Sequence, residues 1–338
     1  MRSGTHDLVG IVEALYAPDL TDDEWLRVAV EKMRPLLDRQ GLGIAGALYQ
    51  CADPCSWIPS HMLVCDVPDE LQRVLFDGTE ALPPTYVADS FLNRTVYLGA
   101  DVRGWSEIST FRSGAAQAAG LADSLQLNVI EPDGQGCWLG SPHSARVSLT
   151  DELQITLTRL GRHLAAAHRL RQKHAQARVS PEQAEAVITA DRRVEHAEGP
   201  ARDSDRQCAL VRAARAMDVA RGPRRNQQPR KAIKEWKSVV AERWTLLDHF
   251  ESDGKTFLLA VDNRPKASSL ELLSRRERDV VLRALRGDEN KVIAFQLGLA
   301  PSTVRVLLAR AAAKIGVRSR SALLHAFRVA GVRPDPKP

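Results

Sequence analysis

The chain has 338 residues, of which 44% are apolar and 26% charged, with a formal charge of +5 at neutral pH. This is ordinary globular composition, long enough for two or three cores. No stretch approaches the ~18 apolar residues of a membrane span, and residues 1–7 lack the apolar centre of a signal peptide, so a cytoplasmic protein is expected. The charge is unevenly spread. Residues 1–148 carry 10 basic and 20 acidic side chains, residues 149–267 carry 23 and 16, and residues 268–338 carry 14 and 6. A basic rear is the electrostatic footprint of a polyanionic partner.

In chain order, Leu8, Ile11, Val12 and Leu15 predict an amphipathic helix. A second spans Asp22–Leu37, with Trp25, Val28, Ala29, Met33, Leu36 and Leu37 on its apolar side. Residues 43–49 read as a buried strand. Helix returns at 68–76 and near 110–120, and 124–130 is a strand that turns at 131–136 onto its partner, 137–141. This order resembles a GAF-like sensor domain. Such folds cup a small molecule against the sheet, and Tyr49, Trp57, Tyr86, Phe91, Trp105 and Trp138 are the candidate lining, equally suited to an ordinary core.

A long helix is predicted over 149–178. Leu153, Leu157, Leu160, Leu164 and Ala167 alternate by four and three, the spacing of a coiled-coil seam between two protomers or of packing on the sensor domain. Its end is cationic (His168, Arg169, Arg171, Lys173, His174, Arg178) and reads as a solvated face. Next, 186–190 and 193–197 are strands around a turn, 208–217 is a helix, 222–230 a polar loop, and 243–250 with 256–261 a hairpin. That order resembles a shortened PAS-like domain, with no metal-ligating or flavin-attaching motif.

Five cysteines at 51, 55, 65, 137 and 208 form no disulfide pattern. Cys51, Cys55, His61 and Cys65 have the chemistry of a metal or redox site, but their spacing matches no short zinc knuckle, and small buried or loop cysteines are the simpler reading.

The last seventy residues say most about function. Ser274 and Glu277 form a capping box, Val280, Val281 and Leu285 an apolar stripe, and Gly287 a stop. A short helix, Asn290–Leu297, follows, with Val292, Ile293, Ala294 and Leu297 expected to be buried. Gly298 and Leu299 turn the chain, and Pro301 opens a third helix, Pro301–Ile315, whose inward side is Val304, Leu308, Ala311 and Ile315. A fourth begins at Ser319. The spaced elements Leu-Ser-x-Arg-Glu-Arg, Asn290-Lys291, Ile293-Ala294, Leu297-Gly298-Leu299, Ser302-Thr303-Val304-Arg305 and 314–320 (Lys-Ile-Gly-Val-Arg-Ser-Arg) resemble the LuxR-type DNA-binding domain, a four-helix helix-turn-helix module. Ala300 departs from the usual Ser cap, Leu307 from a common His, and Ala309 from a base-contacting cation in several members.

The resemblance implies a sequence-specific regulator whose partner is double-stranded DNA. It suggests Arg305 for bidentate readout of guanine and Val306 for a thymine methyl. Lys291, Ser302, Thr303, Arg310, Lys314 and Arg320 are expected on phosphates, although Thr303 also suits a cap and Lys314 a plain surface charge. One such module buries little surface, so a homodimer on two half-sites is expected. RNA polymerase and a small-molecule effector are the further partners this reading admits; it requires no cofactor. The expected organisation is multidomain: an α+β GAF-like domain (1–148), a connecting helix (149–178), a short α+β PAS-like domain (179–264), a linker (265–269), an all-α helix-turn-helix domain (270–331) and a tail (332–338).

Two alternatives have less support. A sigma-like initiation factor would use a similar four-helix module, but needs an aromatic-rich basic helix that the acidic front lacks. An enzyme would need catalytic spacing around His61, His143, His163 or His168, and none is present. There is also no Gly-rich nucleotide loop and no receiver-like acidic pocket.

Overall fold

A computed structural model describes residues 6–51, 57–79, 82–174, 179–250, 255–265, 273–315, 317 and 319–329. Helix α1 (Leu8–Leu15) is capped by the Asp7 carboxylate accepting from the Gly10 N–H, and α2 (Asp22–Leu37) by a reciprocal box between Thr21 and Glu24. Trp25 is fully buried between them and donates its indole N–H to the Leu15 carbonyl at 2.9 Å.

Strands β1 (Ile44–Cys51), β2 (Trp57–Cys65), β3 (Val96–Leu98), β4 (Asp123–Ile130) and β5 (Gln135–His143) form an antiparallel sheet in the order β2-β1-β5-β4-β3. Strand β2, which the sequence did not reveal, is an edge strand. Its Pro59 sits beside a register shift, where a missing N–H is tolerated. One face of the sheet presents Leu125, Leu127, Val129 and Leu139 to α2 and to α7 (Asp151–His174). The opposite face lies under α3 (Asp69–Thr79), α4 (Pro84–Asp89), α5 (Ser109–Arg112) and α6 (Ala115–Ala118).

A second antiparallel sheet, β7-β6-β9-β8, is built from β6 (Ala186–Ile188), β7 (Val194–Ala197), β8 (Trp244–Phe250) and β9 (Thr256–Asp262). Helices α8 (Ser204–Arg221), α9 (Arg224–Gln227) and α10 (Pro229–Glu235) connect its two hairpins. Residues 222–230, expected to be a polar loop, thus contain α9 and the start of α10, which Pro229 opens at a position that needs no N–H. Ala186, Ile188, Leu258 and Ala260 face Leu210, Ala214 and Met217, while Val187, Leu259 and Val261 face Leu170 at the end of α7.

Helix α7 therefore packs on both sheets, and this corrects the coiled-coil expectation. Leu157, Leu160 and Leu164 are fully buried in the chain's own core, which runs without a break from Leu8 to Ala260. The four-three alternation is the signature of any helix with one buried stripe, and here that stripe faces a sheet. The cationic end is corrected in part; of it, Arg178 lies outside the described residues. His168, Arg169 and Arg171 are buried, each at less than a tenth of full exposure. Burial holds the imidazoles of His163 and His168 down to about 4, so both are neutral. Nε2 of His163 lies 3.1 Å from the Trp236 carbonyl and so carries the proton. Nδ1 then accepts from the Tyr16 hydroxyl at 3.2 Å, joining α1, α7 and the end of α10.

At its C-terminal end α7 also holds the exit from the second sheet. Arg169 makes a buried two-pronged pair with Glu131 at 2.7 and 2.8 Å and donates to the Asn263 carbonyl. Lys173 donates to the carbonyls of Asp262 and Arg264. The Asn263 amide, fully buried, donates to the Ala166 carbonyl and to Thr245.

The C-terminal helices α11 (Arg275–Leu285), α12 (Asn290–Leu297), α13 (Pro301–Ile315) and α14 (Arg320–Val329) enclose a separate core of Val280, Val281, Ile293, Val304, Leu323 and Phe327, among others. No single helix among the described residues is long and apolar enough to cross a membrane. One bent pair, α12 with α13, meets the length and composition test for a broken span.

Candidate nucleic-acid interface and effector cavity

The C-terminal helices are set by local chemistry. The Ser274 hydroxyl accepts from the Glu277 N–H, and the Glu277 carboxylate accepts from the Ser274 N–H at 2.8 Å. Gly287 and Gly298 take φ of +89° and +64°, the left-handed turns that end α11 and α12. Helices α12 and α13 then meet at 104°, within the range for the two helices of a helix-turn-helix.

One side of α13 carries the buried residues Val304, Leu307, Leu308, Ala311, Ala312 and Ile315; the other carries Ser302, Thr303, Arg305, Val306, Ala309, Arg310, Ala313 and Lys314, all exposed. Lys291, at the first turn of α12, is exposed too. Arg305 and Arg310 have no ion pair or hydrogen bond among the described residues, so their guanidinium donors face solvent. A shallow groove beside α13 runs past Asn290, Arg305, Ala309, Ala313, Ser319 and Arg320. The small side chains of Ala309 and Ala313 leave the helix backbone open to close approach.

Two predicted phosphate contacts have internal partners. Lys314 pairs with the buried Glu277 carboxylate at 2.6 Å. Burial alone would raise that carboxyl, but Lys314 and Ser274 outweigh it and hold Glu277 below the usual range. Arg320 donates to the Asp288 carbonyl at 3.0 Å, bracing the turn before α12. Val292, expected inside, is 42% exposed, and Phe295 one turn later is 89% exposed. The short α12 buries only Ile293 and Ala294, so its apolar residues exceed what the module can cover. Asn290 and Ser319 beside the groove were not singled out as contacts. Their signal was positional, since each opens a helix that borders α13.

The six aromatic residues expected around an effector do gather on the second face of the first sheet. Ring centroids of Tyr49, Trp57 and Phe91 lie 5.2–5.9 Å apart, and Trp105 stacks near Tyr86. A cavity of about 90 Å³ opens among Trp57, Tyr86, Phe91, Trp105 and Trp138; Tyr49 lies behind it. Its surface is apolar, and the polar side chains beside it are bonded to one another: Gln126 accepts from the Trp138 indole at 2.8 Å and donates to Ser124, and behind the cavity Asn128 accepts from the Tyr49 hydroxyl at 2.7 Å. The Trp57 indole N–H is buried without a partner among the described residues.

The cysteine cluster does not assemble. Cys51 pairs opposite Trp57 and Cys65 opposite Ile44, at opposite ends of the β1–β2 ladder, and Cys55 lies outside the described residues. Among the described residues no group of three His, Cys, Asp or Glu side chains could hold a metal ion.

Two helices crossing near a right angle, with a cationic outer helix held on a small independent core, define a helix-turn-helix DNA-binding module. Residues 271–327 match the model for bacterial regulatory proteins of the luxR family, and they form a LuxR-family helix-turn-helix domain. No curated protein matches the chain. Among solved structures, Escherichia coli SdiA in space group P6522 is similar at 11% identity and TM-score 0.32, covering 92% of each chain. SdiA in complex with octanoyl-rac-glycerol is similar at 10% identity and TM-score 0.33, covering 96% of this chain and 93% of that one.

Proposed function

We propose that this protein is a sequence-specific transcription regulator in which residues 6–265 act as a sensor for the LuxR-family output. The observation that carries the reading is the outer face of α13, where Arg305 and Arg310 stand exposed and without an internal pair among the described residues, on a LuxR-family module. Arg305 reads a guanine edge, with Val306 against a thymine methyl. Lys291, Ser302, Thr303 and Arg310 hold phosphates. Lys314 and Arg320, which brace the module internally, contribute charge from the flanks. Two copies bind two half-sites, because one module of this size buries too little surface for useful affinity.

The strand orders of the two antiparallel sheets, the first with helices on both faces and the second with α8 in the core on one face and the end of α7 on the other, support GAF-like and PAS-like sensor units. The aromatic cavity over Gln126 suits an apolar effector that offers an acceptor to the Trp57 indole.

The core from Leu273 to Phe327 is separate from that of the body, so residues 269–331 should bind duplex DNA without the rest of the chain, with affinity falling steeply as salt rises. Arg305→Ala should cost about 1–3 kcal/mol on the selected operator with little loss on scrambled duplex. Titrations of both duplexes decide; no binding by the module even at low salt overturns the reading.

A further inference from the structure

The aromatic cavity of the first sheet has walls fixed by the backbone. A Cβ on Gly140 would come within 2.3 Å of the Trp138 ring, and one on Gly99 within 2.4 Å of the Trp105 ring, so both rings lie where only glycine lets them. Leu75, Ile108, Phe111 and Leu121 close the cavity from the side of α3, α5 and α6. Met62, on the edge strand β2, lines it and is 37% exposed, which puts the mouth there. At about 90 Å³ the cavity is smaller than the ~150 Å³ apolar cavity, engineered in another protein, that takes up benzene, so it has room for one ring.

No charge lines it. Among the described residues of its wall there is no Asp, Glu, Lys, Arg or His, and burial pushes the Tyr86 hydroxyl up to about 12, so that group is neutral near pH 7. The polar side chains at the wall are bonded within the protein. Gln72 donates to the Val67 carbonyl and Ser141 to the Gly43 carbonyl, each at 2.7 Å, and Gln126 donates to Ser124 at 2.6 Å while accepting from Trp138. An ion entering this space gives up its water and meets no opposite charge, whereas an apolar ring leaves water favourably. The walls therefore select by charge and by size.

We propose that this cavity takes an uncharged single-ring compound, entering past Met62 and held among the Trp57, Trp105 and Trp138 rings. This names the class of effector for the proposed sensor and rests on that reading. The probes are acetophenone, its ionised isostere benzoate and the two-ring 2-acetylnaphthalene, titrated calorimetrically into the full chain near neutral pH. Acetophenone should bind one to one, at least ten-fold tighter than either of the others. Met62→Trp, which fills the mouth from an exposed position, should abolish that binding while the far-ultraviolet spectrum is unchanged. Ala17→Trp, in the separate cavity beside β8, should leave it intact. No binding of acetophenone, equal affinity for benzoate or for 2-acetylnaphthalene, unaltered binding to a folded Met62→Trp chain, or loss of binding in a folded Ala17→Trp chain would each overturn the proposal. These titrations contain no DNA, so their failure and a failure of the regulator reading are seen in different measurements.

Discussion

The C-terminal module and the body that precedes it solve opposite problems. The module is four short helices around a small core, and the side chains proposed for function point outward from it. The body keeps its distinctive chemistry inside: the neutral His163, the Arg169–Glu131 pair, the bonded polar side chains under the aromatic cluster and the Trp57 indole N–H, without a partner among the described residues. An outward-facing site tolerates substitution with little effect on folding. An inward-facing one couples every change of function to stability, because each buried polar group depends on its partners.

The largest test of this contrast is Leu157→Glu with Leu164→Glu. Both leucines are fully buried, so two carboxylates there should cost more than ~5 kcal/mol and unfold the body. Calorimetry should then show the module's transition alone; a double variant that keeps a folded body would return α7 to the role of an intermolecular seam. Arg169→Ala leaves the Glu131 carboxylate buried and unpaired, and should lower body stability by about 3–5 kcal/mol without moving the module's transition.

Acid offers a third, smaller separation. His163 and His168 have folded values near 4, below an unfolded value of about 6.5, so the unfolded chain takes up protons first. Their contribution is complete above pH 6.5 and is lost as the pH falls toward 4. Lowering the pH from 7 to 5.5 should therefore cost the body about 2 kcal/mol. The module has no such pair among its described residues. Its Glu277, depressed by Lys314 and Ser274, keeps its contribution above the ordinary glutamate value near 4.3 and loses it only as the pH falls through the lower folded value. Denaturant melts at the two pH values should shift one transition and leave the other. Smallest of all, Ser274→Ala should lower the module's stability by about 1 kcal/mol through the lost cap.

The same contrast explains what could be read from the amino-acid order. The module is written in local signals: a Ser and a Glu three apart, glycines at two left-handed turns, a proline at a helix start. Each acts on its near neighbours, and each stands where expected. The body depends on what meets across the chain. Strand β2 was hidden by Pro59 and by the polar residues that an edge strand carries. In β4, Ser124, Gln126 and Asn128 alternate with leucines and valine as they would on a solvated strand, yet they are buried under an aromatic layer that only the fold supplies. The basic end of α7 looked solvated because nothing nearby in sequence announces Glu131 or the carbonyl of Asn263. Among the site residues, exposure of Arg305 and Arg310 follows from helical period alone, whereas the internal pairing of Lys314 needed Glu277 from another helix.

The hold that α7 keeps on the end of the second sheet has a consequence for engineering. Arg169 and Lys173 grip main-chain oxygens of residues 262–264, and the side chain of Asn263 turns back into the body. A different output domain joined there would inherit an anchored starting position, and the donated module would bring a complete core of its own.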